Sequence, residues 1–95
     1  MAYQHKALSD RELNEIRQRC EATTPGPWRS LIEGRDHSSG SSFIMTGDGE
    51  SRGEDIELNG GTAADQDFIA NARQDIPRLL AEIDRLKRIT REAAE

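Results

Sequence analysis

The chain has 95 residues; 33% of them are charged, 34% are hydrophobic, and the formal net charge is −5. A chain this short forms one domain (1–95) with a thin core, so we expect a homo-oligomer, a dimer or higher, that gains stability from self-association. The acidic balance argues against duplex nucleic acid as a partner, because such a partner needs a net basic surface. The single cysteine fits a reducing compartment, and no apolar run suits a signal peptide or membrane span, so we expect a cytoplasmic protein without a membrane partner.

The first predicted element is a helix over residues 8–22. Ser9 is placed to cap its N-terminus, and Glu12, three residues later, completes a capping box. The apolar residues recur at helical spacing, at Leu13, Ile16 and Cys20. The helix is predicted to end before Pro25, because the residue that precedes a proline avoids helical backbone angles.

Residues 28–58 are predicted to form a small antiparallel β-meander with polar loops. The three expected strands cover residues 28–32, 43–46 and 55–58, with turn-rich segments between them. Trp28, the only tryptophan, opens the first strand. Two roles remain open for it, a core anchor or a platform for stacking a base.

Residues 62–94 are predicted to form helices broken near Pro77. A short helix starts at Ala63 and ends near Ala72; Asp75 then caps a second, longer helix, with Pro77 in its first turn. In the longer helix, residues that are apolar except for one threonine recur at intervals of three and four, which is typical of helix pairing. These residues are Ile76, Leu79, Leu80, Ile83, Leu86 and Thr90. The predicted fold class is therefore α+β, with an N-terminal helix, a small sheet and a long C-terminal helix that pairs in an oligomer.

No catalytic or metal-binding pattern is present. His5 and His37 lie far apart, and Cys20 has no second ligand at metal-binding spacing. No serine or cysteine is placed with a histidine as its base. The sequence predicts a protein that is not an enzyme, with no metal and no cofactor.

The segment from Ile69 to Arg73 favours ligand binding. Ala70 and Ala72 are small, which lets a planar ligand or a second chain approach the helix. An asparagine such as Asn71 can bond the edge of adenine with two hydrogen bonds, and an arginine such as Arg73 can pair with phosphate or stack on a base. The alternative is structural: Asn71 caps a helix or bonds a neighbouring strand, and Arg73 pairs with Asp75.

Arg88 has two possible roles, as part of a solvated helix face or as a ligand contact. It is 17 residues from Asn71, which is roughly 25 Å along a helix. One chain can therefore bring both residues to one ligand only if the helix folds back at Pro77. Two chains related by a two-fold axis could do so without a break.

Two segments of the sequence, TTPGPW at 23–28 and DFIANARQDIP at 67–77, resemble a group of small phage and prophage proteins. The group includes Ead-type early-region phage proteins and phage anti-Thoeris sponge proteins. The resemblance spans most of residues 9–90. It implies an α+β oligomer in which long helices pair and pockets form between chains.

The resemblance to the sponge proteins also implies a function. They sequester a cyclic nucleotide immune signal, a cyclic ADP-ribose isomer or a cyclic oligonucleotide, without cleaving it, in the cytoplasm of the host cell. Asn71 with Ala70 matches their adenine-contacting segment, Arg88 matches a ligand-contacting arginine, and Arg35 matches another basic contact more loosely. The alternative function is a phage regulatory or interaction module whose long helix binds a host protein.

Overall fold

The chain folds into one helix, a two-stranded sheet and a second, much longer helix, in a computed structural model that describes residues 6–94. The helices are α1 (Asp10–Ala22) and α2 (Ala63–Ala94), and the strands are β1 (Trp28–Leu31) and β2 (Phe43–Thr46). A single 3₁₀ turn, Gly49–Ser51, follows β2. The predicted α+β class is confirmed. His5, one of the two histidines considered as metal ligands, lies outside the described residues.

The predicted capping box and the predicted end of α1 are confirmed, but the helix begins at Asp10, two residues after the predicted bound. The Ser9 hydroxyl accepts the N–H of Glu12 at 3.1 Å, and the Glu12 carboxylate accepts the N–H of Ser9 at 3.0 Å. That backbone N–H lowers the pKa of Glu12. At the other end, the Thr23 hydroxyl donates to the carbonyl of Cys20 at 2.9 Å, so the helix ends before Pro25.

The sheet has two antiparallel strands, with Trp28 opposite Thr46 and Leu31 opposite Phe43. Ile44 and Thr46 are almost fully buried. The predicted third strand is reduced to one bridge, in which Ile56 and Ile44 exchange hydrogen bonds of 2.8 and 2.9 Å. The chain before Ile56 is held at the end of β2, where Gly53 donates to the Thr46 carbonyl, so this segment turns around β2 and does not extend along it.

The prediction that the C-terminal helices break near Pro77 is wrong. Helix α2 has 32 residues and passes through Pro77 without interruption, a length of about 48 Å. Proline lacks the N–H that would bond the carbonyl of Arg73, so it weakens a helix locally. Contacts with another part of the chain stabilise the turn before Pro77, because the side chains of Gln74 and Arg73 form hydrogen bonds with the segment around Trp28. Asp75 therefore lies inside the helix and does not cap one.

Gln74 fills the free edge of β1 in the way a third strand would. Its side-chain amide accepts the N–H of Trp28 at 2.7 Å and donates to the carbonyl of Trp28 at 3.1 Å. Gln66, two turns earlier on α2, donates to the carbonyl of Phe43 and to the hydroxyl of Ser30, both at 3.0 Å. The two glutamines thus attach α2 to the sheet and satisfy backbone groups that would otherwise be unpaired.

The chain is more extended than a globular domain of its length. Its radius of gyration is 17.2 Å, against about 12 Å expected for a compact domain of this size. The last ion pairs between the two helices join Arg17 to Asp84 at 3.1 Å and Lys87 to Asp10. Beyond Lys87, every described residue of α2 is exposed, so the end of this helix projects from the body.

Candidate functional site

The candidate site is a shallow depression on the side of α2 that faces away from the sheet. It has a volume of about 590 Å³, and its walls include Phe68, Asn71, Ala72, Ile76 and Leu79. We call it the Asn71 depression. Its volume falls in the range of small-molecule sites, which is about 300–1,000 Å³, and its lining is mainly apolar with few polar groups.

Asn71 presents an amide that is partly free. Its Nδ2 donates to the carbonyl of Asp67 at 2.8 Å, one turn earlier in the same helix. Among residues 6–94, no donor reaches its Oδ1. The side chain of Asn71 thus bonds neither a helix end nor a strand, as the structural alternative expected, but the backbone of α2 itself. The amide keeps one acceptor and one N–H for a ligand.

Ala70 does not belong to this surface. Its exposed fraction is 0%, and its carbonyl accepts the side-chain Nε2 of Gln74 at 3.3 Å. It lies on the side of α2 that packs on the sheet, so its small size serves close packing. A ligand contact by its side chain, which the resemblance implies, does not fit this position.

Arg73 also faces inward. Its Nε donates to the carbonyl of Thr24 at 3.1 Å, and the residue is half-buried. The predicted ion pair with Asp75 is not formed; Asp75 lies 3.9 Å from Arg78 instead. Arg73 thus anchors the TTPGPW segment to α2 and has only part of its guanidinium left for other contacts.

Trp28 is an anchor of the same region. Its indole Nε1 donates to the carbonyl of Thr24 at 3.0 Å, and its backbone holds Gln74. Gly26 lies close to both Gln74 and Arg73, and a Cβ at this position would be in ordinary van der Waals contact with their side chains. The two segments that carry the phage resemblance are therefore bonded to each other, which gives them a shared structural role.

Arg35 comes near the depression but is neutralised. Its guanidinium pairs with both oxygens of Asp67, at 2.8 and 3.0 Å, and with Asp36 at 2.8 Å. The hydrogen bonds from Arg35 lower the pKa of Asp67 to about 2 and also lower the pKa of Asp36. With two carboxylates already bound, this arginine contributes little positive charge to a phosphate ligand.

Arg88 is exposed, and no ion pair or side-chain hydrogen bond of it occurs among residues 6–94. The unbroken α2 keeps it roughly 25 Å from Asn71. It lies about five turns beyond Ala70, and so on the face of Ala70 and not on that of Asn71. The structure therefore does not bring Arg35, Ala70, Asn71, Arg73 and Arg88 together in one chain.

Two exposed residues beside Asn71 were missed. The Phe68 ring borders the depression and is 75% exposed, while Arg78, whose side chain is 82% exposed, follows Asn71 by seven residues. Seven residues are nearly two turns, so Asn71 and Arg78 share a face about 10 Å apart. This spacing is visible in the sequence, but the predicted break at Pro77 separated the two residues.

Comparisons add no relative, since no protein-family model, curated protein or solved structure matches this chain. The resemblance to phage proteins therefore stays a prediction. Within residues 6–94, no three His, Cys, Asp or Glu side chains form a cluster that could hold a metal ion. Over the same residues, no helix combines the length and the apolar character needed to cross a membrane.

Proposed function

We propose that this chain is a phage anti-defence sponge that binds a cyclic nucleotide signal, a cyclic ADP-ribose isomer or a cyclic oligonucleotide, and does not cleave it. The observation that carries the proposal is the Asn71 depression, where an exposed aromatic ring lies beside an amide with a free acceptor. On this proposal the protein acts in the host cytoplasm.

The groups of the depression suit the parts of a nucleotide. The Phe68 ring offers a face on which a base can stack, and such stacking contributes about 1–3 kcal/mol per base. The Asn71 amide can bond the edge of adenine. If a base binds there, Arg78 lies at a distance that suits the phosphate of the same nucleotide. Its contact with Asp75 is loose, at 3.9 Å.

The depression is lined mainly by groups that bind, and both of its carboxylates, Asp67 and Asp75, face arginines. An asparagine, an arginine and a phenylalanine have no side chain that acts as a nucleophile or as a proton acceptor near neutral pH. The carboxylate of Asp67 is occupied by Arg35 at 2.8 Å. These residues favour capture of an intact ligand over its hydrolysis.

Calorimetric titration with cyclic ADP-ribose isomers and with cyclic di- and trinucleotides tests the proposal. We expect saturable binding that Asn71→Ala weakens by about 1 kcal/mol and Phe68→Ala by about 1–3 kcal/mol. Asn14→Ala, at an exposed position of α1, is the matched control and should leave affinity unchanged. Absence of heat with every ligand, or recovery of an altered ligand after denaturation, would contradict it.

The phosphate contact is tested separately. A charged hydrogen bond to phosphate contributes about 1.5–3 kcal/mol, so Arg78→Ala should weaken binding by that amount if the depression of a single chain is the site. The resemblance instead assigns this contact to Arg88, supplied by another copy. If Arg88→Ala weakened binding by this amount and Arg78→Ala left the affinity unchanged, the phosphate contact would belong to Arg88.

A second candidate function is an interaction module that binds a host protein through α2. The observation that favours it is the exposed apolar surface of this helix, where Leu79 is 61% and Leu86 49% exposed. A stoichiometric complex with a host protein would support this candidate over the first, provided that two conditions hold. Leu86→Glu should abolish the complex, and cyclic nucleotides should leave it unchanged.

A further inference from the structure

A second cavity lies between the end of α1, the start of β1 and α2. It is open to solvent and has a volume of about 230 Å³. Its walls include the apolar side chains of Ile16, Trp28, Ala72 and Ile76, together with two arginines, Arg19 and Arg73. We call it the Trp28 cavity. Ala72 and Ile76 also border the Asn71 depression, whereas Trp28 and the two arginines do not.

Arg73 is a half-buried arginine whose charge no carboxylate within residues 6–94 balances. The other half-buried arginine in this part of the chain, Arg17, pairs with Asp84 at 3.1 Å. The Nε of Arg73 instead donates to the neutral carbonyl of Thr24 at 3.1 Å, and its two terminal nitrogens donate to no described group. A guanidinium stays charged, and a charge that is partly removed from water is normally paired. The free N–H groups of Arg73 therefore suit an oxyanion.

The charged side chains around the Trp28 cavity are positive. Arg19 is exposed and forms no ion pair with the described residues, and no Asp or Glu among them lines the cavity. Helix α1 ends beside the cavity, and the C-terminal dipole of a helix is equivalent to about half a negative charge. Two full positive charges outweigh it. The nearby carboxylates of Glu21 and Asp84 line a different cavity.

We propose that the Trp28 cavity binds a small organic oxyanion, a carboxylate or a phosphate monoester, whose apolar body is about the size of one ring. The oxyanion accepts hydrogen bonds from Arg73, and the exposed Arg19 is a second, weaker contact. The ring packs against Trp28, which favours aromatic partners, and against the isoleucines of the wall. This site takes a ligand of its own and does not depend on nucleotide binding at the Asn71 depression.

The size of the Trp28 cavity selects the ligand. An apolar cavity of about 150 Å³ binds benzene, so the 230 Å³ available here accommodates one ring with its charged group. Sites for drug-sized ligands have volumes of about 300–1,000 Å³, and a whole cyclic nucleotide therefore does not fit.

Proton–nitrogen correlation NMR tests the site, because the indole N–H of the only tryptophan gives one isolated signal at the cavity. The probes are phenylpropionate, phenyl phosphate and the neutral phenylpropanol. We expect at least one anion to shift the Trp28 signal saturably, with a dissociation constant of about 1 mM or tighter, and the alcohol to bind at least about tenfold more weakly. The anion that binds more tightly identifies the charged group of the ligand. The side-chain amide of Asn71 should shift little.

Arginine variants assign the contact with the charged group. Arg73→Gln should weaken binding of the anion at least about tenfold and leave the affinity for phenylpropanol unchanged. Since Arg73 also bonds Thr24, the same spectra check that this variant is folded. Arg19→Gln changes an exposed position and should weaken binding about two- to fivefold. The matched control is Arg91→Gln, an exposed arginine outside the cavity, which should have no effect.

Three results would overturn the proposal. The first is a Trp28 signal that neither anion shifts. The second is phenylpropanol that binds as tightly as the anions, because the arginines would then make no use of their charge. The third is anion binding that neither arginine variant weakens in its folded form.

Discussion

The two sides of α2 differ in how completely the chain itself satisfies them. On the inner side, Gln66, Ala70, Gln74 and Leu80 pack on the sheet and on α1, and the two glutamine side chains bond backbone groups of the strands. On the outer side, a phenylalanine and several leucines and isoleucines face solvent, with few bonds beyond those within the helix. The inner side accounts for the fold, so the outer side is where a function is to be sought.

The largest expected effect lies on the inner side, at Gln74. Gln74→Ala removes two hydrogen bonds and leaves the N–H and the carbonyl of Trp28 unpaired in a half-buried place. We expect the free energy of unfolding to fall by about 2–4 kcal/mol, measured by urea denaturation. Gln18→Ala, at an exposed position of α1, is the control. Equal stability of the two variants would contradict the claim that the inner side of α2 stabilises the fold.

The next effect compares two alanines of α2 directly. Ala70 is fully buried, so Ala70→Leu overpacks the contact with the sheet and should cost about 1–3 kcal/mol of unfolding free energy. Ala81→Leu makes the same change at an exposed position and should alter stability by less than about 0.5 kcal/mol. If Ala70→Leu kept its stability but lost nucleotide binding, Ala70 would belong to the site after all.

A smaller effect, seen only in acid, concerns the ion pair at the edge of the depression. The pKa of Asp67 is about 2, below the ordinary 3.8. A lowered pKa stabilises the folded state above the ordinary value, and this contribution is lost as the pH falls from about 4 to about 2. We expect Asp67→Asn to remove part of the acid sensitivity of the urea midpoint in this window.

The exposed Glu50 provides the control for that measurement, as Glu50→Gln. If the urea midpoint of Asp67→Asn depended on acid pH as strongly as that of the natural chain, Arg35 would not be paired with Asp67. Arg35 would then be free for a ligand, as the resemblance implies.

Local features of the fold could be predicted from the sequence, because their causes lie within a few residues. The capping box of Ser9 and Glu12 is one case, with bonds of 3.0 and 3.1 Å. The break at Pro77 was predicted wrongly because the bonds that hold the helix there reach 46 and 49 residues along the chain. Proline alone gives no sign of such partners.

The candidate site could be predicted only in part. Asn71 lies on the open side of α2 as expected, but nothing next to Ala70 in the sequence shows that it faces the sheet. Likewise, the partner of Arg35 is Asp67, 32 residues away. Arg88 can reach a ligand at Asn71 only from a second chain, because roughly 25 Å of unbroken helix separates the two residues.

Native mass spectrometry of the natural chain, incubated with a cyclic ADP-ribose isomer, tests the central claim most directly. The claim is that the outer side of α2 captures a cyclic nucleotide without reacting with it. We predict protein that retains the ligand at its intact mass. Protein without ligand, or with ligand whose mass has increased by one water through ring opening, would contradict the account.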